Sequence, residues 1–384
     1  MYSEAQLNEM LAVFLARCQA INEEYIIAMA DQIMEIGQLI PSSVNRLVQY
    51  QRMNANLDGI KREIARLAEI SIPDLEKIFE TAAQLDMRFA AETFGNEFRL
   101  SIMQMPGLKQ AMAAQLAVTG GEMANLSRTT VEDAAYKKAV DAAISAAQMG
   151  VEDYNSAIRR ALGEAAGTGL QVTYPSGRKL RLDSAVRMNV LDGIRALNNE
   201  VLRQAGEQFG ADGVEISAHR LCAEDHLPYQ GQQYSHKAFA DLQARLKRPF
   251  GMWNCRHSMH PILLGISRPA YTEGELEGFK TFSKAKVTID GVSRTRYEWS
   301  QEQRKIETAI RRQKDEALAY KRSGDMPARR RKQALINALT ERYGKVSEAA
   351  GLQPDYARAA VRGFSDVKTE EELKRKPEDN KKAS

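Results

Sequence analysis

The sequence is short of cysteine. Three residues, Cys18, Cys222 and Cys255, occur in a chain of 384. An odd set cannot close into disulfides, which excludes a disulfide-stapled secreted scaffold and points to synthesis in a reducing compartment. No run of eighteen apolar residues is present, so no membrane-spanning helix is expected. The opening residues, MYSEAQLNEM, hold no basic stretch followed by an apolar core, so no signal peptide is expected either. Phosphate-cradling glycine patterns are missing: there is neither Gly-x-x-x-x-Gly-Lys nor Gly-x-Gly-x-x-Gly, which disfavours an ATP-driven or dinucleotide-dependent role. There is no His-Glu-x-x-His, and no helix-turn-helix or finger pattern for reading bases. Tryptophan occurs only twice, and Trp253, with Tyr229, reads as a local anchor for loops rather than a stacking surface for a cofactor.

What is present describes an ordinary soluble chain of two or three folding units. The length is about twice the commonest domain size. Apolar residues make up 43% and charged residues 27%, which disfavours both general disorder and collagen. The formal net charge of +4 conceals an asymmetry: the basic excess lies beyond Lys284, on a mildly acidic body. A basic C-terminal region suits nucleic acid or an acidic protein surface and names neither.

The fold class expected is mostly α: a helical N-terminal half, a small loop-rich α+β domain, then basic C-terminal helices. The boundaries read from composition are 1–166, 167–283, 284–369, and a charged, disordered tail over 370–384. Leu7, Leu11, Phe14, Cys18, Ile21 and Tyr25 recur at four–three spacing, continued by Met29, Ile33 and Ile36, and form the apolar stripe of a first helix ended by Gly37 and Pro41. A second helix covers about 43–69. Ser71 as cap and Pro73 as an early helical proline open a third, reaching Phe94. Met103, Met105, Met112 and Met123 read as core filling rather than an adaptable binding surface. Further helices begin near Thr130 and Asp153. Leu170, Val172 and Tyr174, then Pro-Ser-Gly, then Lys179 to Leu182 predict a hairpin. Asp183 caps a helix carrying Val186, Val190, Ile194 and Leu197. Val214 to Ser217 predicts a strand, and 219–271 a loop-rich segment in which Gly231 and Gly251 provide turns. After Tyr271 helices return, with Tyr297 to Tyr320 and a second one ending near Arg342.

The unusual constellation is in the loops. All five histidines, His219, His226, His236, His257 and His260, fall within 42 residues, together with Cys222 and Cys255. Imidazole and thiolate are the side chains that hold zinc well, and a closed structural site needs four donors. A pair from the His219–His226 loop meeting a pair from Cys255-Arg256-His257 would supply them, clipping together loops with little to bury. The alternative reading is that these side chains hydrogen-bond between loops and that Cys255 is simply buried. Structural zinc is thus the one candidate cofactor, and His236 and His260 are left as surface positions. Catalytic readings fare worse. Glu224 and Asp225 beside His226 would suit a metal-dependent hydrolase, but without supporting spacing, and a Cys255–His257 nucleophilic pair is two residues apart. No catalytic or cofactor-binding residue is assigned, and the chain is read as a non-enzyme. Arg256 is a candidate to hold Asp225 or Glu224.

These loop residues resemble a known family. Ile216-Ser217-Ala218-His219, Asp225-His226, Tyr229-Gln230-Gly231, Tyr234-Ser235, then Trp253-Asn254-Cys255-Arg256-His257-Ser258 and Pro261 are similar to the signature of the phage minor capsid protein 2 family, itself related to the broader MuF-like head-morphogenesis proteins of tailed phages. Ile33 to Ser42, Gly150 to Ala157, Tyr174 to Gly177, Ala185-Val186-Arg187 and Pro269-Ala270-Tyr271 resemble it too. Cys222 has no counterpart in that pattern, which argues against it as a ligand; members of the broader group often end the second motif in Cys-Arg-Cys, where this chain has Cys255-Arg256-His257. The ligand set that follows is His219, His226, Cys255 and His257. The resemblance implies a low-copy virion protein, made in the bacterial host cytoplasm, that acts near the portal vertex during head assembly. Portal and capsid or scaffold proteins are the implied partners, with a homo-oligomer among the arrangements it allows. The basic region then approaches packaged DNA through phosphate contacts from Arg304, Lys305, Arg311, Arg312, Arg329, Arg330, Arg331 and Lys332, and a solvated helix face is the plainer account of the same residues. A non-virion nucleic-acid-binding protein is the alternative, and a hydrolase the less favoured one.

Overall fold

The four–three stripe that opens the chain becomes helix α1 (Glu4–Ile36) in the computed structural model, which describes residues 4–36, 43–94, 106–129, 136–142, 162–174, 176–253 and 255–374. Leu11, Phe14, Cys18, Ile21, Tyr25, Met29, Ile33 and Ile36 are all buried, so the stripe is a core face. Ser3, Gly37, Pro41, Met103, Met105, Thr130, Asp153, Asn254 and residues 375–384 lie outside the described residues, and with them the expectations placed there.

The fold is mostly α, with three small antiparallel sheets among the described residues. After α1 come α2 (Ser43–Phe94), α3 (Pro106–Thr129), and the helical segments α4 (136–142) and α5 (162–168). The proline expected to start a third helix lies inside α2, which runs unbroken for 52 residues. Pro73 removes one backbone donor at a cost of about 3 kcal/mol. The apolar stripe nevertheless continues through it, with Leu67 and Ala68 before it and Leu75, Phe79 and Ala82 after it buried. Packing on both sides outweighs a local start signal. Met123 is buried and Met112 half-buried, in keeping with core filling.

The hairpin forms as expected: β1 (Gln171–Thr173) pairs with β2 (Lys179–Arg181), Val172 opposite Leu180. Helix α6 follows (Leu182–Gln208), and Val186, Val190, Ile194 and Leu197 are buried along it. Its Gly193 is required by close approach, because a Cβ there would strike Thr119 and Phe79.

The segment expected to be loop-rich contains more order than its composition suggests. Strand β3 (Gly213–Ile216) is the centre of a three-stranded sheet, flanked by β4 (Gln233–Ser235) and β5 (Met259–Ile262). Between the flanking strands lies α7 (His236–Arg245), capped by the Ser235 hydroxyl. β4 and β5 are too short to show alternation, and α7 buries only Leu242, so neither kind of element carries a strong periodic signal. Beyond Tyr271 the expectation of helix alone is also corrected. Helix α8 (Glu273–Lys284), with a Thr272/Glu275 capping box, leads into a hairpin of β6 (Lys286–Ile289) and β7 (Val292–Thr295). Asp290 and Gly291 both take positive φ, 51° and 76°, as a two-residue hairpin turn demands. Helices α9 (Arg296–Arg322) and α10 (Met326–Ala350) close the basic region, followed by a 3-10 turn at Tyr356–Ala359 and α11 (Glu370–Lys374). Residues 370–374, expected to begin a disordered tail, are therefore helical, with the Thr369 hydroxyl accepting from the Glu372 amide.

The chain divides into two compact units, each drawn from three stretches. The first is Met1–Leu15, Arg66–Asn125 and Asp183–Ser300; the second is Ala16–Ala65, Leu126–Leu182 and Gln301–Ser384. In the second unit a fully buried carboxylate, Asp315 of α9, accepts from Arg181 of β2 at 2.6 Å and from the Asn22 amide of α1 at 3.2 Å. The Asn22 oxygen in turn accepts from the Leu170 backbone N–H at 2.9 Å. A buried charge stripped of its partner is costly. Asp315→Ala, which leaves Arg181 and Asn22 facing a void, is expected to destabilise the protein by about 3–5 kcal/mol in chemical denaturation. A loss within about 0.5 kcal/mol, the range of neutral surface changes, would show that the carboxylate does not anchor the unit.

Candidate metal centre

The site is assembled at one end of the β4–β3–β5 sheet, within the first unit. Past the last residue of β3, the Ser217 N–H donates to the Ser258 carbonyl and the Ser258 N–H to the Ser217 hydroxyl, both at 2.9 Å. That clamp brings the loop after β3 against the loop before β5. On the other side, the Gly231 N–H donates to the Ile216 carbonyl at 2.7 Å, which draws Gln230 to the same place. Gly231 has φ of 71°, and a Cβ there would run into Leu276. Gly251 turns with φ of 84°. Both glycines thus provide turns.

Three of the four expected ligands meet. His226, Cys255 and His257 are each buried, and one donor atom from each lies within 4.8 Å of the others. Cys255 Sγ is 3.5 Å from His226 Nδ1 and 3.3 Å from His257 Nδ1. His219 stands alongside rather than in this group. Its ring is 4.5 Å from that of His257, its Nδ1 donates to the Arg220 carbonyl, and its Nε2 is buried with no hydrogen-bond partner among the described residues. Cys222 sits closer than its missing counterpart in the family pattern suggests, with Sγ 3.5 Å from His257 Nε2. His236 is the exposed first residue of α7, as expected, whereas His260, expected at the surface, is half-buried on β5 opposite Glu215, where pairing with β3 covers it.

Partners outside the cluster orient the rings. His226 Nε2 is 2.7 Å from the Arg248 carbonyl, so it carries the proton and Nδ1 presents a lone pair. Phe250 stacks on the same ring, at 4.1 Å between centroids. Arg248 is held in turn by a bidentate pairing with Asp225, at 2.6 and 3.1 Å. The sequence pointed to Arg256 for that carboxylate. Arg256 is exposed instead, and the carboxylate goes to Arg248, whose own carbonyl meets His226. Trp253 is about half exposed, with φ of 53°, and its backbone N–H donates to Asp192. Tyr229 does pack on the local core of Ile216, Leu242, Phe250 and Cys255.

Burial dominates the electrostatics. It pushes His257 down to about 2 and lowers His219, His226 and His260 from their ordinary range. It raises the Cys255 thiol and pushes Cys222 up to about 12. The arrangement offers a borderline-soft donor set, and Asp225, the carboxylate that the sequence offered to a hydrolase, is held on Arg248.

A family model described as phage minor capsid protein 2 matches residues 5–343. The chain belongs to that family. It is a phage head protein and a virion component. The match spans the loops that build the cluster, and the resemblance to this family is borne out. No curated protein and no solved structure matches the chain. Among the described residues no helix is long and apolar enough to cross a membrane. Gln230 stood in the sequence within the family-like segment but without a role, and Arg248 carried no signal; their roles depend on the sheet register.

The depressed histidines set a direction for acid sensitivity. Folded, they stay neutral; unfolded, they take up protons below about 6.5. Their contribution to stability is therefore complete above that value and is lost as pH falls from it. In the presence of a chelator, the thermal midpoint is expected to drop between pH 7 and 5.5, with a shallower drop in His257→Gln. A midpoint that is flat across this window would contradict the buried, neutral assignment.

Proposed function

We propose that this head protein is a low-copy component that acts near the portal during head assembly, through binding rather than turnover. The observation that carries the reading is the family match over 5–343, nearly the whole chain. Portal and capsid or scaffold proteins are the partners this role calls for. Supporting binding rather than turnover, the Asp225 carboxylate, 4.0 Å from His226 Nε2, is occupied by Arg248. Mass spectrometry of purified, DNA-filled particles tests the reading directly. The expected result is copies far fewer than those of the major capsid protein, with cross-links to the portal. Absence from washed particles, or cross-links confined to the major capsid protein, would overturn the portal role.

Contact with packaged DNA is the second element of the proposal, favoured by the basic excess beyond Lys284. Much of that charge is engaged within the second unit. Arg304 pairs with Glu307, Arg330 with Glu370, Lys332 with Glu316, and Arg329 is buried and donates to Ser365. Lys305 and Arg312 keep exposed heads although each reaches a glutamate, and Arg331 is exposed. Exposed pairs of that kind are worth about 0–1 kcal/mol and exchange readily for phosphate. Lys305, Arg312 and Arg331 are therefore the residues expected to meet a DNA backbone. Three such contacts give a log–log salt slope of about −2.7 on duplex DNA. Replacing all three with alanine is expected to flatten it, whereas an unchanged slope would remove these residues from the interface.

A further inference from the structure

The cluster of His226, Cys255 and His257 poses a proton-counting problem. Gln230 Oε1 accepts from the His219 backbone N–H at 3.2 Å, which identifies that end of the amide as oxygen. The same oxygen lies 3.4 Å from His257 Nε2, and the Cys222 thiol, which donates to the Ala223 carbonyl, can only accept there. His257 is thus protonated at Nε2, as the Arg248 carbonyl makes His226. Both rings then turn an Nδ1 lone pair toward one sulfur, Cys255 Sγ. A thiol has a single proton and satisfies one of them. The other would remain a buried, unpaired acceptor, which is costly.

A metal ion resolves this, and the spacing suits one. Tetrahedral zinc, with Zn–S of about 2.3 Å and Zn–N of about 2.0–2.1 Å, needs S···N separations of about 3.5 Å. The two observed separations are 3.5 and 3.3 Å. The carbonyl of Arg248 and the amide of Gln230 take the outer partners that ligating imidazoles ordinarily have. We propose that His226, Cys255 and His257 bind one zinc-class divalent cation through Nδ1, Sγ and Nδ1, leaving Cys222 and His219 outside the coordination. Binding displaces one proton, from the Cys255 thiol, because both imidazoles are already neutral. The ion would cross-link the loop after β3 to the loop before β5, wherever in the head the protein acts.

The test is a cobalt titration of the full-length chain after chelator treatment, followed by zinc. The expected result is a thiolate-to-cobalt charge-transfer band that saturates at about one equivalent and is displaced by zinc. About one proton is released per ion at neutral pH. Cys255→Ser should abolish the band and Cys222→Ala should keep it. His226→Gln and His257→Gln should weaken binding by at least about tenfold. Failure of the wild-type chain to give the band at saturating cobalt would overturn the proposal whatever the variants do. So would a band that survives Cys255→Ser and is lost in Cys222→Ala. Because the readout is spectroscopic, it is independent of the portal role.

Discussion

A buried carboxylate organises the second unit. Asp315 is fully enclosed, and a charge in that position is tolerable only with its partners in place. Arg181 and Asn22 supply them, so the β1–β2 hairpin, α1 and α9 must arrive together, from positions 293 residues apart in the extreme case. A nearby polar set works the same way. Glu307 accepts from the Tyr343 hydroxyl and pairs with Arg304 and Arg358, while the Tyr343 oxygen accepts from the Asp355 backbone N–H. Geometry of this kind specifies one packing of helices whose apolar faces alone would accept several.

The first unit uses a different device. Its small sheet ends in loops with few apolar groups, and what fixes them is a set of turns and polar clamps: the Ser217–Ser258 pair, the Gly231 turn, Arg248 on Asp225. These hold five imidazole and thiol side chains together over the Ile216–Phe250 core. Part of the basic charge of the C-terminal helices is matched within the chain, by glutamates three or four residues away or across a helix pair. Its role in the fold is accordingly larger than net charge implies.

Where the sequence was legible, the reason was periodicity or special chemistry. The four–three stripe of α1 and the apolar face of α6 each repeat a pattern long enough to outvote local exceptions, and the first hairpin was marked by its Pro-Ser-Gly turn. The His/Cys concentration stood out because those residue types are rare in this chain. Elsewhere local signals misled. Ser71 and Pro73 look like a helix start, yet α2 runs through them because the buried stripe does. Helix α7 escaped notice because it buries a single leucine. The Asp290-Gly291 turn was a readable hairpin signal set between short arms.

The sequence by itself determined the mostly helical class, the family, and the identity of the side chains with metal-binding chemistry, since each follows from residue type and short-range spacing. Tertiary structure decided the rest. Which three of the expected ligands meet, that Arg248 rather than Arg256 holds Asp225, and that Gln230 orients His257 all depend on the register of β3 with its neighbours. The interleaving of the chain into two units, each drawn from three stretches, is likewise set by long-range packing. No local pattern encodes it, because a side chain's partner in the core is chosen by the shape of the surface it meets and not by its distance along the chain.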